Sequence, residues 1–153
     1  MGVKDDMKTA LTAAMKARDE VALSSLRQAL SAIAVAETAG SEVVELSDDQ
    51  VLKVLAAEVK KHHEAADAFE VAGRAEKVAS ERAEAAVLEA YLPAALSDDE
   101  LQAIVDAEVA AAAAEGNAGM KAMGKVVSAV RAKAGQTADG AKIAALVKAA
   151  LSS

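Results

Sequence analysis

Apolar residues recur every three or four positions along the first 92 residues, and this spacing predicts helices. Asp19 and Ser47 are typical helix-start residues, while Gly40 and Gly73 mark helix ends. Four helices are predicted, at about 4–18, 20–39, 48–72 and 75–91. Their predicted core faces carry Met7, Leu11, Ala14 and Met15 on the first, Leu23, Leu26, Leu30 and Ile33 on the second, and Val51, Leu55, Val59, His62, Ala66 and Phe69 on the third.

The only proline, Pro93, marks the best candidate for a domain boundary, the segment Leu92–Leu96, because helices end before a proline. Beyond this segment, Ser97 and Asp139 are predicted N-cap residues. Three more helices are predicted, at about 98–115, 120–134 and 140–151. We therefore predict an all-α fold in which a four-helix subdomain, residues 1–93, joins a three-helix bundle, residues 94–153, at a Pro-marked hinge.

The composition supports a helical protein with a thin core. Alanine accounts for 42 of the 153 residues, whereas the chain has one Tyr, one Phe and no Trp. Alanine is the best helix former but buries little area, so we expect a core of Leu, Val, Ile and Met. The chain has no cysteine, which excludes a disulfide, a thiolate zinc site and a cysteine nucleophile.

No part of the sequence predicts a membrane segment. The longest apolar run, Val109–Ala114, is six residues, far short of the roughly 20 that a membrane helix needs. The amino terminus has no apolar stretch after a basic one, so we expect no signal peptide. These features predict a soluble, cytoplasmic protein without a membrane partner.

The formal net charge of −7 conceals a gradient along the chain. Residues 1–96 carry a net charge of −6 and residues 97–115 another −6, whereas residues 116–153 carry +5. A basic segment on an acidic protein is a possible phosphate-binding face, although six basic residues can also simply solvate two helices. The overall charge argues against a general nucleic-acid coat protein, and we expect no DNA partner.

The residues do not predict a catalytic or metal centre. His62 and His63 are the only histidines, and no glycine-rich phosphate loop or nucleophile elbow is present. Glu58, Glu64 and Asp67 lie near the histidines, but a single helix supplies too few ligands that converge on one ion; these three and the two histidines are the best metal candidate. We therefore predict no catalytic residue, no metal and no cofactor.

Glu37 is predicted at the rim of the core face of the second helix. A structural ion pair is a better interpretation than a general base, with Arg27 or a lysine of the third helix as the partner.

Several short sequence strings occur in a specific order and spacing along the chain. They are Ser25-Leu26-Arg27 followed by Ala32-Ile33 and Glu37, then Val59-Lys60-Lys61, Ala68–Arg74, Leu88–Pro93, Met123-Gly124-Lys125-Val126 and Ala138-Asp139-Gly140. Together they closely resemble the YqeY family, whose members are stand-alone relatives of the C-terminal tail of GatB. GatB is a subunit of the glutamine-dependent tRNA amidotransferase. The resemblance covers essentially the whole chain.

The resemblance implies an all-helical fold with two subdomains and a role in contacting tRNA. In GatB the cradle domain and the partner amidase subunit carry the chemistry, whereas the tail contacts the tRNA body. A chain similar to the tail alone is therefore expected to be non-catalytic. The family-level label of carbon–nitrogen ligase with glutamine as amide donor belongs to the complete enzyme.

The resemblance places the RNA-contacting role on residues 116–153. The matched motif positions are Met123, Gly124 and Asp139, and the turn before the last helix contains Gly140. A basic residue usually precedes Ala-Asp-Gly in the family, but this chain has Gln136-Thr137 there. The predicted RNA-binding residues are Lys121, Lys125, Arg131, Lys133, Gly140, Lys142 and Lys148.

An alternative hypothesis is a protein-interaction adaptor. The net charge of −6 on the first subdomain would then provide a contact surface for an amidotransferase subunit or another translation factor.

Overall fold

The computed structural model describes residues 2–93, 96–135 and 138–152. Within these ranges the chain forms α-helices and one short 3₁₀ turn, with no strand, so the predicted all-α class is confirmed. The helices are α1 (Val3–Ala17), α2 (Glu20–Glu37), α3 (Asp48–Val71), α4 (Ala75–Glu89), α5 (Asp98–Ala114), α6 (Met123–Ala134) and α7 (Gly140–Ser152). The 3₁₀ turn, Met120–Ala122, precedes α6, so the sixth predicted helix begins in a different conformation from the one expected.

The chain divides into two compact units, Met1–Leu92 and Pro93–Ser153, here called the N-terminal and C-terminal units. Helices α1 to α4 lie in the first and α5 to α7 in the second. A hinge at Pro93 stays a prediction. Ala94 and Ala95 of the predicted boundary segment, and Gln136 and Thr137 before the Ala-Asp-Gly string, lie outside the described residues.

The predicted helix starts are confirmed by their hydrogen bonds. The Ser47 hydroxyl accepts from the backbone N–H of Gln50 at 3.3 Å, while the Gln50 side chain accepts from the backbone N–H of Ser47 at 2.9 Å. Ser97 and Glu100 form the same reciprocal pair at the start of α5. Each reciprocal pair, known as a capping box, satisfies two backbone N–H groups that the helix itself leaves without partners.

The core of the N-terminal unit combines long aliphatic residues with alanine. Helices α1 to α4 all contribute fully buried side chains, which are Met7, Leu26, Ala29, Ile33, Val51, Leu55 and Leu88. Ala66 of α3 and Ala85 of α4 are also fully buried. Because the alanine side chain ends at Cβ, these two positions allow the backbones of the packed helices to approach closely.

Met15 and Phe69 are predicted core residues that lie outside this core. Met15 is 54% exposed because the buried stripe of α1 runs through Met7 and Ala14, and Met15 lies about 80° around the helix from Met7. Phe69 is only partly buried, and the Lys77 ammonium lies 5.6 Å from the centre of its ring. Near the end of α3, Phe69 therefore takes part in a cation–π contact instead of the core.

Glu37 forms the predicted ion pair, but with a different partner. The Lys4 ammonium of α1 lies 2.7 Å from Glu37 Oε1, and the backbone N–H of Leu46 donates to Oε2 at 3.0 Å. The predicted partners, Arg27 and a lysine of α3, were wrong because α1, 33 residues earlier in the chain, packs against the end of α2. Glu37 thereby ties α1 and the loop after α2 together.

The pKa of Glu37 is lowered by the Lys4 hydrogen bond and then by the Leu46 N–H. A carboxylate whose pKa is lowered in the folded state stabilises the protein at a pH above its ordinary pKa of 4.5. This contribution is lost as the pH falls through the lower pKa of the folded state. Glu37→Gln is therefore expected to be less stable than the wild type at pH 7, with the difference shrinking below pH 4. Urea unfolding at pH 7 and in acid, followed for both proteins, tests this prediction. The exposed Glu42→Gln is the control, and a gap that persists unchanged in acid contradicts the prediction.

The C-terminal unit has its own small core. Its buried residues come from α5, the 3₁₀ turn, α6 and α7, and are Leu101, Val105, Ala112, Ala122, Val126, Val130, Ala134, Ile143 and Val147. Gly135 ends α6 with a φ of +83°, a conformation that favours glycine. Across the described residues, no helix combines the length and apolar character needed to cross a bilayer.

Candidate nucleic-acid interface

The six basic residues of the predicted interface lie on three elements of the C-terminal unit. Lys121 belongs to the 3₁₀ turn, Lys125, Arg131 and Lys133 to α6, and Lys142 and Lys148 to α7. All six side chains are exposed, because the opposite faces of these elements supply the buried Val126, Val130 and Val147. The amphipathic pattern thus directs the basic residues to the surface.

Helix α5 and its C-cap residue, Glu115, neutralise three of these six basic residues. Lys125 Nζ lies 2.5 Å from Glu115 Oε2, and the pKa of Glu115 is lowered chiefly by this hydrogen bond. Lys133 pairs with Glu108, and Lys142 pairs with Asp98. The acidic α5 packs against both α6 and α7, so three of the six basic residues between positions 116 and 153 are paired within the unit.

Lys121, Arg131 and Lys148 form no ion pair among the described residues. Lys121 and Lys148 lie at the same end of the unit: the Ser152 hydroxyl donates to the Lys148 carbonyl at 2.7 Å, and its oxygen lies 3.7 Å from Met120 Sδ. With Arg131, these two lysines are therefore the basic residues of the predicted interface left available for a phosphate.

The start of α7 brings Arg131 against the glycine of the Ala-Asp-Gly string. The Arg131 guanidinium lies directly over Gly140, in the space that a Cβ would take at this position, so a larger residue would require the arginine side chain to move. Asp139 caps the helix as predicted, its carboxylate accepting from the Ala141 N–H at 2.9 Å. A helix-start amide that would otherwise be open to a phosphate is thus occupied by a carboxylate.

The Met-Gly-Lys string opens α6. Met123 is partly buried and packs against the core of the C-terminal unit, whereas Gly124 is exposed, and nothing lies within 4 Å of a Cβ placed there. Packing within the unit therefore does not explain the glycine. Lys125, the third residue, pairs with Glu115.

A polar cluster that the sequence did not predict lies between α3 and α4. His62 is buried, and its Nδ1 lies 2.6 Å from Glu81 Oε2 and 3.7 Å from Glu84 Oε2. The His62 Nε2 is buried and has no hydrogen-bond partner among the described residues. The sequence signal that could have found the cluster is the i, i+3 spacing of Glu81 and Glu84 on the helix that follows His62.

The residues grouped with His62 by sequence are not brought together with it. Glu58 pairs with Lys61 on its own helix. His63 Nε2 lies 2.5 Å from Glu89 Oε1, and His63 Nδ1 lies 2.6 Å from Arg82 Nη1. Arg82 also pairs with Asp67. Glu64 is exposed. The two neighbouring histidines therefore lie in two separate networks between α3 and α4.

The fold and the surface together define a two-unit, all-helical protein whose C-terminal unit exposes three basic side chains without carboxylate partners among the described residues. The family model described as "Yqey-like protein" matches residues 4–151. The chain belongs to this family. No curated protein matches the chain.

Proposed function

We propose that the protein is a non-catalytic, tRNA-binding helical module of the cytoplasm, related to the tail of GatB. Family membership over residues 4–151 supports this proposal through the resemblance to the amidotransferase tail. The observation that carries it is the pair of exposed lysines, Lys121 and Lys148, at one end of the C-terminal unit. These lysines are not engaged by α5, in contrast to Lys133 and Lys142.

The association of the family with carbon–nitrogen ligases then reflects the complete amidotransferase, with glutamine as amide donor. The chain itself would supply RNA contact, with its four-helix and three-helix parts joined at a hinge near Pro93. The ion pairs of α5 reduce the charge available to phosphates, so we expect modest affinity with a strong salt dependence. The chain has no Trp, and its only Tyr and Phe lie before residue 92, so base stacking by the C-terminal unit is not expected.

Removing the two exposed lysines is expected to weaken tRNA binding and flatten its salt dependence. Lys121→Gln/Lys148→Gln should lower the slope of log affinity against log salt by about 0.7–0.9 for each phosphate that the variant no longer neutralises. Fluorescence anisotropy with labelled tRNA at several salt concentrations measures this change. Lys133→Gln/Lys142→Gln is the matched control, because it removes the same charge from lysines that α5 already neutralises.

Equal slopes for the two double variants would contradict the assignment of the contact to Lys121 and Lys148. Absence of tRNA binding by the wild type at low salt would contradict the RNA role itself.

Absence of tRNA binding would favour the alternative function, a protein-interaction adaptor. The specific observation for this alternative is a group of exposed valines at the end of α2 and in the following loop. Val35, Val43 and Val44 are 67%, 77% and 59% exposed. Glu42 and Glu45 flank the two loop valines, which would suit a partner with apolar and basic residues, such as a surface of an amidotransferase subunit.

A further inference from the structure

We propose that His62, Glu81 and Glu84 form a binding site for a divalent transition-metal ion, for which Zn²⁺ is the probe. One ligand atom from each of the three side chains lies within 4.8 Å of the others. His62 lies on α3 and both glutamates lie on α4, so two packed helices supply the ligands. The objection that one helix cannot surround an ion does not apply to this set.

The charge of the cluster calls for a cation. The Glu81 and Glu84 side chains are 26% and 13% exposed, and neither forms an ion pair with a lysine or arginine among the described residues. Arg82, which lies between them in sequence, is engaged by His63 and Asp67. A protonated His62 would supply at most one positive charge against two carboxylates, whereas a divalent ion balances both.

Helix α2 holds part of the cluster in place. The Gln28 side chain donates to Glu84 Oε2 at 3.1 Å and to the Ser24 hydroxyl at 2.9 Å. The fully buried Ser25 donates to the backbone carbonyl of Glu84 at 2.7 Å. Hydrogen bonds of this kind orient a ligating carboxylate before the ion arrives.

The chemistry of the donors selects the class of ion. One imidazole nitrogen with two carboxylates suits Zn²⁺ and related transition metals, and three protein ligands leave a coordination position for water. Binding through Nδ1 requires the proton of the neutral His62 ring to lie on Nε2. No acceptor among the described residues faces Nε2, and metal-bound histidines usually have one there. We therefore expect micromolar rather than tighter affinity.

Zinc titration of the full chain tests the site. The protein is treated with a chelator, desalted and titrated with Zn²⁺ in competition with a chromophoric chelator, and Co²⁺ absorption reports the coordination number. One ion per chain is expected. Glu81→Gln and Glu84→Gln are each expected to weaken binding about tenfold or more, because each removes a charged ligand but keeps the shape of the side chain.

Glu89→Gln is the matched control, because Glu89 lies on the same helix and bonds a histidine, His63, outside the cluster. It is expected to bind Zn²⁺ as the wild type does, with all variants equally helical by circular dichroism. The proposal is overturned if the folded wild type binds no stoichiometric ion. It is also overturned if Glu81→Gln and Glu84→Gln bind like the wild type, or if Glu89→Gln loses binding to the same extent.

Discussion

Leu88→Ala is expected to lower the free energy of unfolding of the N-terminal unit by about 2–5 kcal/mol. Leu88 is fully buried in a cluster with residues of α1, α2 and α3, including Met7, Ile33 and Leu55. Truncation removes its apolar contacts and leaves a cavity that the neighbouring helices fill only in part.

Urea unfolding measured by circular dichroism and by tyrosine emission tests this prediction. Tyr91 is the only tyrosine and packs against the same cluster, so its emission reports on the N-terminal unit. Val71→Ala is the control, because Val71 is 92% exposed, and it is expected to change stability by no more than about 0.5 kcal/mol. Similar stabilities for the two variants would contradict the assigned core.

Ala85→Leu is expected to destabilise the N-terminal unit by about 1–3 kcal/mol, although leucine is also a good helix former. Ala85 is fully buried on α4, the helix that packs most extensively against α3. Three additional carbon atoms would require the helices to separate or the side chain to leave its preferred rotamers. The alanine is therefore a requirement of packing as well as of helix propensity.

Ala86→Leu gives the matched comparison, since Ala86 is the next residue on the same helix and is exposed. This variant introduces the same side chain with the same helix propensity and is expected to be near neutral. Thermal and urea unfolding of the two variants, followed by circular dichroism, measure the difference. If Ala85→Leu were as stable as Ala86→Leu, the α3–α4 interface would have room that a fully buried position does not suggest.

The helix boundaries could be predicted because their causes are local. The Ser47 and Ser97 hydroxyls each accept from a backbone N–H three residues later in the chain. The residue at that position, Gln50 or Glu100, is of the type that returns the hydrogen bond, so the sequence alone identifies the pair. Asp19 and Asp139 likewise cap the helices that follow them. Gly73, one of the glycines predicted to mark a helix end, has a positive φ of +73° just after α3.

The charge partners could not be predicted, because they depend on which helices pack together. Lys4 and Glu37 are 33 residues apart, and Lys142 and Asp98 are 44 residues apart. Net charge counted along the chain separated the acidic α5 from the basic α6 and α7, whereas packing places them side by side. The predicted interface of six basic residues therefore has three whose charge is already paired.

The same limitation applies to His62. The helical spacing placed His62 on the apolar stripe of α3 with acidic neighbours on its own helix. Its burial agrees with that interpretation, but its contacts are Glu81 and Glu84, because α4 packs along the same stripe. Helical periodicity identifies which residues face inward, but it does not identify which residues of the partner helix face them.

The small side chains in the core of the C-terminal unit have a thermodynamic consequence. This core is built from Val, Ala, Leu and Ile, and each of these residues exposes less apolar surface on unfolding than an aromatic residue would. The heat-capacity change on unfolding scales with the apolar area that becomes exposed, so its value for this unit is expected to be low. A low heat-capacity change gives a shallow curve of free energy against temperature. The stability of the C-terminal unit is therefore expected to vary little between cold and warm conditions.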